Sequence, residues 1–141
     1  MWTLPSGGIE PGEVPTTAAA RELAEESGCI VDPAELHLIS TVAVVQDGQQ
    51  ASQSWNFTAI VTDPHLEPAD PDGTVVDAHW FSREQATELL AQHSYDPIRE
   101  PALRFLGDGT ATHWTFDLVG TGEDGRPRFT WARPTSSRLD G

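Results

Sequence analysis

The chain has 141 residues, a size that suits one hydrophobic core, and 38% of them are apolar. Its net charge of −14 repels nucleic-acid backbones and anionic membranes, but leaves room for a small phosphorylated ligand bridged by metal ions. No apolar run approaches the ~20 residues of a membrane span. The first residues lack the order of a signal peptide, and the lone Cys29 can form no internal disulfide, so a cytoplasmic location is expected.

Residues 1–13 read as a strand end and a loop, because Pro5, Gly7, Gly8, Pro11 and Gly12 force an irregular path. A helix is predicted over Pro15–Ser27: proline suits its first turn, Ala18 to Ala20 propagate it, and Gly28 suits a left-handed stop. Strands are predicted over 36–46, 54–62 and 74–81, the first two joined by the polar stretch 47–52. A second helix starts at Ser82, which with Gln85 has capping-box spacing. A further helix over 95–106 is predicted to break near Pro97 and Pro101. The tail reads as a hairpin of strands 113–119 and 128–132, and residues 134–141 as frayed. One domain over 1–133 is expected.

The chemistry concentrates in residues 7–29. Relative to Glu22 on a helix, Glu25 lies about 60° to one side and Glu26 about 40° to the other. Three carboxylates therefore share one arc. They repel one another, and near a helix C-terminus they oppose the macrodipole. A hard divalent cation resolves both problems, since Mg²⁺ prefers oxygen ligands. A solvated acidic face is the plain alternative. The preceding loop favours the cation: Gly7, Gly8 and Gly12 let the backbone approach the helix and aim a carbonyl at the same ion. Glu13 stands eight residues before Arg21, so an Arg–carboxylate pair can lock loop to helix.

The pattern is Gly7, five residues, Glu13, seven residues, Arg21-Glu22-Leu23, one residue, Glu25-Glu26, one residue, Gly28-Cys29. It resembles the Nudix box of the MutT-like hydrolases at every fixed position. The likeness extends more weakly to about residue 93, through Asp77-Ala78-His79-Trp80-Phe81. The resemblance implies an α/β (α+β) fold, an α/β/α sandwich around a mixed sheet. It implies a metal-dependent hydrolase that cleaves a diphosphate bond in a nucleoside diphosphate linked to another moiety. Mg²⁺, with Mn²⁺ as a substitute, would sit on Glu22, Glu25, Glu26 and the carbonyl of Ser6. Catalysis would fall to Glu22, Glu25 and Arg21, with structural support from Glu13 and Gly7. Cys29 stands where a larger aliphatic residue is usual and reads as a small buried side chain.

Outside the box, a general base is sought among Glu67, Asp70, Asp72 and Asp77, and substrate-binding surfaces at Trp2, Trp55 and Asp77. Core packing is the competing role for Phe57 and Trp55. The five histidines, at 37, 65, 79, 93 and 113, show no metal-ligand spacing. The box begins where a Nudix domain would already have built its first strands. The N-terminal strands are therefore expected to be missing, with the extra C-terminal hairpin or a partner chain in a homodimer as compensation. A Nudix-like nucleotide-binding or regulatory module without turnover is the alternative function. ADP-ribose-type sugars, oxidised nucleoside triphosphates and dinucleoside polyphosphates all stand open as substrates.

Overall fold

The structure, a computed structural model, describes residues 2–69, 71–73, 77–132 and 134–136. The chain divides into two compact units. One comprises Leu38–Asn56 and Arg83–Gly141 with Met1–Trp2; the other comprises Thr3–His37 and Phe57–Ser82.

The first unit is built on a mixed sheet. Strands β1 (His37–Gln46), β2 (Gln49–Thr58), β3 (Thr112–Thr121) and β4 (Pro127–Trp131) lie in the order β2-β1-β3-β4. A short β5 (Thr135–Ser136) pairs with the start of β3. β1 and β2 are joined by Asp47 and Gly48, both at positive φ (53° and 75°), the geometry that a two-residue hairpin turn demands. The turn is thus tighter than the stretch 47–52 expected from polarity, and β2 starts earlier. β3 runs parallel to β1 and antiparallel to β4. The tail hairpin therefore enters the sheet beside β1, as the alternation of Trp114, Phe116, Phe129 and Trp131 foretells.

Register explains the core. Ser40, Val42 and Val44 of β1 stand opposite Thr112, Trp114 and Phe116 of β3, and all six are buried. Phe116 is fully buried and meets Phe129 edge-on at 6.1 Å, and Phe129 in turn meets Tyr95 at 5.4 Å. The polar members of the row are satisfied: the Trp114 indole N–H donates to the Thr112 hydroxyl at 2.7 Å, and the Asn56 amide to the Ser40 hydroxyl at 2.8 Å.

Two helices complete this unit, α2 (Arg83–Leu90) and α3 (Asp96–Asp108). The expected break in α3 does not occur. Pro97 sits in the first turn, where its missing N–H leaves no bond unmade, and the helix continues through Pro101 to a left-handed stop at Gly109.

In the second unit lies α1 (Pro15–Ser27), with the predicted bounds. Proline opens it and Gly28, at φ 82°, closes it with an N–H donated to Ala24. A 3₁₀ turn, Pro33–Glu35, follows, started by the Asp32 side chain on the Ala34 N–H. Of the strand expected over 74–81, residues 74–76 lie outside the described residues and 77–81 are not strand. Local bonds hold that stretch instead: the Asp77 carboxylate accepts from the Ala78 N–H, and the Trp80 indole N–H donates to the Pro64 carbonyl at 2.7 Å. Residues 134–136 are described, the last two of them in β5 rather than frayed, while 137–141 lie outside the description. Among the described residues no helix is long and apolar enough to cross a membrane.

Candidate active site

The second unit gathers the acidic helix and the glycine-bearing loop around one arginine. Arg21 Nε and Nη2 donate to the two carboxylate oxygens of Glu13 at 2.9 and 3.0 Å, a bidentate pair. Nη2 also donates to the Gly8 carbonyl at 2.9 Å. Nη1 reaches Glu22 at 2.8 Å and Glu25 at 3.3 Å, with Glu10 at 3.8 Å. One guanidinium thus ties the loop to α1 and partly neutralises two of the three helix carboxylates. The Arg21 hydrogen bond, helped by the Glu10 backbone N–H, holds the Glu13 carboxyl down to about 2. Hydrogen bonds to Glu13 and Glu22 push the Arg21 guanidinium up in return.

The same loop touches the other carboxylates. The Ser6 backbone N–H donates to Glu26 at 2.7 Å. At Gly7 the backbone lies so close to Glu22 that a Cβ there would stand 2.0 Å from its carboxyl carbon. A larger residue at that point would have to push the Glu22 carboxylate from its place beside the loop.

Among the described residues, no three His, Cys, Asp or Glu side chains converge as a cation cage. Arg21 draws Glu22 and Glu25 to itself, and Glu26 turns to Ser6. The donor chemistry still fits a magnesium-type ion: carboxylate oxygens from one helix arc, beside a loop backbone that Gly7 leaves bare.

A cavity of about 390 Å³ opens on these groups. It is lined by residues 8–11, by Arg21, Glu22 and Glu25, and by Pro71 and Asp72. Trp2, Trp55 and Asp77 do not line it. Trp2 and Trp55 belong to the unit that holds the sheet, each a little over one-third exposed. The Asp77 carboxylate is engaged with His79 Nε2 at 2.8 Å. Of the four residues considered as a base, Asp72 lines the cavity, Glu67 faces His65 at 3.6 Å, and Asp70 lies outside the described residues.

Sequence reasoning missed one feature. The Glu67 N–H donates to the Ser27 carbonyl and the Ala69 N–H to the Glu25 carbonyl, both at 2.8 Å. Main-chain pairing of this kind leaves no mark in side-chain identity. The one available signal was Gly28, whose absent Cβ would stand 2.7 Å from the Glu67 backbone.

Residues 7–29 thus form a bidentate Arg–Glu lock and a loop pressed onto a glutamate-bearing helix, beside an acidic cavity. The NUDIX domain family model matches residues 1–104, and the chain belongs to the Nudix family. The chain is 29% identical to an NAD-capped RNA hydrolase of Pongo abelii over 81% of its own length, a match that spans 23% of that relative. It is 27% identical to diphosphoinositol polyphosphate phosphohydrolase 2 of Rattus norvegicus, over 96% of this chain and 72% of the relative. Over a quarter of the chain, 35 residues, identity to an RNA pyrophosphohydrolase of Dinoroseobacter shibae reaches 54%. The crystal structure of a MutT protein from Bacillus halodurans shares the fold, with a TM-score of 0.53 at 20% identity over 90% of this chain and 79% of that one. The chain thus carries a Nudix domain with an α+β fold.

Proposed function

We propose that this domain hydrolyses a diphosphate bond in a nucleoside diphosphate linked to another moiety, in the presence of Mg²⁺ or Mn²⁺. The observation that carries this reading is the Arg21 clamp: anchored on Glu13 and the Gly8 carbonyl, the guanidinium holds Glu22 and Glu25 together in the lining of one cavity. Glu22, Glu25, Glu26 and the carbonyl of Ser6 would hold the ion. Bound there, it supplies Lewis acidity toward water and toward phosphate oxygens. The chain's own groups do the positioning. Glu13 fixes Arg21, so that the guanidinium keeps Glu22 and Glu25 oriented and offsets their mutual repulsion. Gly7 lets the loop lie on Glu22, and Arg21 itself adds positive charge where phosphate charge develops.

The relatives' printed names supply the substrate range to be tested: NAD-capped RNA, diphosphoinositol polyphosphate and RNA. A panel adding NAD, ADP-ribose and dinucleoside polyphosphates, assayed with Mg²⁺, Mn²⁺ or chelator, tests the proposal. Release of a nucleoside monophosphate or phosphate that stops with chelator is expected. Glu26→Gln should lower the rate at least ~100-fold, the size of effect that loss of an important charge-stabilising group produces. Full activity in that variant would remove the assigned ion site. Binding of a nucleotide with metal but without turnover would leave a regulatory module in its place.

A further inference from the structure

Two of the three helix glutamates stand where a helix is least secure. Glu25 and Glu26 lie in the last turn of α1, which ends at Ser27. The last carbonyls of a helix lack intrahelical partners, and an end without other support frays. Gly28 closes one of these carbonyls, that of Ala24. Two more are closed from a distant part of the chain. The Ala69 N–H donates to the Glu25 carbonyl and the Glu67 N–H to that of Ser27, both at 2.8 Å. The residue between the two donors is Pro68, which has no N–H to leave unpaired and whose ring fixes φ before docking. Gly28 makes the room: a Cβ there would lie 2.7 Å from both the Glu67 nitrogen and its carbonyl oxygen.

From this we infer that residues 67–69 are a main-chain clasp that positions Glu25 for the divalent ion, so that a segment well beyond the box helps to set the affinity of the ion site. The inference rests on the proposed ion site and adds a positioning element to it. Glu25 is where the two meet: its carboxylate accepts from Arg21 in the lining of the cavity, while its carbonyl accepts from Ala69. The other two glutamates have firmer anchors. Glu26 accepts the Ser6 N–H at 2.7 Å, and Glu22, a turn earlier, accepts from Arg21 at 2.8 Å with the Gly7 backbone against it. The bond from Arg21 to Glu25 is longer, 3.3 Å, so the place of that carboxylate depends most on its own backbone. Mg²⁺ demands near-ideal octahedral geometry, which makes its binding sensitive to such placement. Groups that orient a ligand without touching the ion change affinity or activity roughly 10–100-fold.

The test reads ion binding by the full chain without substrate, as loss of the paramagnetic resonance signal of free Mn²⁺. The Mn²⁺ that Glu26→Gln fails to bind defines the site. Gly28→Ala is expected to open the Glu67 and Ala69 amides to exchange and to raise the Mn²⁺ dissociation constant about tenfold. Ala69→Pro, which deletes one clasp donor and leaves the sequence of α1 and Gly28 intact, should raise it by a similar factor, and decides the matter if Gly28→Ala fails to fold. Added to Glu25→Gln, Ala69→Pro should cost no more than about twofold further, because both act through one carboxylate. Val42→Ala, a substitution in the buried row of the sheet, lowers the melting temperature and should leave the Mn²⁺ affinity unchanged. An unchanged dissociation constant once the amides have opened, equal weakening by Val42→Ala, or a full additional loss in the double variant would each overturn the proposal. A native chain that binds no more Mn²⁺ than Glu26→Gln would remove the ion site and the clasp's role together. Failure of the hydrolase reading alone looks different: clasp-dependent Mn²⁺ binding without turnover of any diphosphate.

Discussion

Gly7 separates two kinds of damage that a substitution can do. No positive φ marks it, so alanine is allowed by the backbone. The added Cβ collides only with the end of the Glu22 side chain, which can rotate away at small cost. Gly7→Ala should therefore leave the melting temperature within about 2 °C of native, because no core contact or backbone bond is lost. Hydrolysis should fall at least tenfold, since ~1.4 kcal/mol of lost transition-state stabilisation suffices for that. Thermal denaturation and a rate measurement on the same preparation check both halves; an unchanged rate would mean that the placing of Glu22 against the loop has no catalytic consequence. The sequence announces this glycine through its spacing from Glu13 and Arg21. The partners of Arg21 were readable only in part. Glu13 follows from the eight-residue separation, but the bonds to Gly8, Glu22 and Glu25 depend on how the loop turns, which several glycines leave undetermined in the sequence.

Among the elements, α1 was the most legible and the linking segments the least. Proline at its start and glycine at its stop bound α1 without any tertiary information. The bonds of Glu67 and Ala69 to the end of α1 have no such signal, since they come from main-chain groups that every residue except proline carries. The strand expected over 74–81 failed in its described part for a related reason: apolar residues at Trp80 and Phe81 suggest burial, but the Trp80 indole serves as a donor to Pro64 while its ring is half exposed. The junction between α2 and α3 carries a consequence for stability. His93 is buried there, its Nδ1 accepts the Tyr95 N–H at 3.1 Å, and its carbonyl accepts from Arg99 at 2.9 Å. Burial, then the Arg99 charge, holds the imidazole pKa below its ordinary 6.5. Because the unfolded chain binds the proton more readily, the contribution is whole above pH 6.5 and is lost as pH falls from there toward the depressed folded value. Protonation also removes the acceptor that Tyr95 uses. The melting temperature of the native chain should therefore drop more steeply between pH 7 and 5 than that of His93→Gln, whose side-chain amide oxygen can still accept and does not titrate. Parallel curves for the two proteins would assign the acid sensitivity to other groups.

The whole molecule sets its charge against the breadth of its relatives' substrates. Two of those relatives are named for RNA, yet this chain carries 22 acidic residues against 8 arginines and no lysine. A reactive diphosphate can reach the cavity as a small molecule or at the end of an RNA, and the two differ chiefly in the phosphates trailing outside. With a net charge of −14, each trailing phosphate within about a Debye length, ~10 Å at 0.1 M salt, meets repulsion. Cationic nucleic-acid enzymes lose affinity as salt rises, because binding releases counterions. An acidic one should show the opposite sign, since salt screens the repulsion. NAD and a 20-nucleotide NAD-capped RNA present the same cleavable bond. The rate constant kcat/KM for NAD is expected to exceed that for the capped RNA by about tenfold or more at low salt, near the size of steering effects on association. Raising KCl from 20 to 200 mM at fixed free Mg²⁺ should then narrow the gap by speeding the RNA reaction, while that of NAD changes little. An RNA rate that starts higher than NAD's and falls with salt would require a basic track on this surface, and would place RNA ends, not small dinucleotides, in the cavity between Arg21 and Asp72.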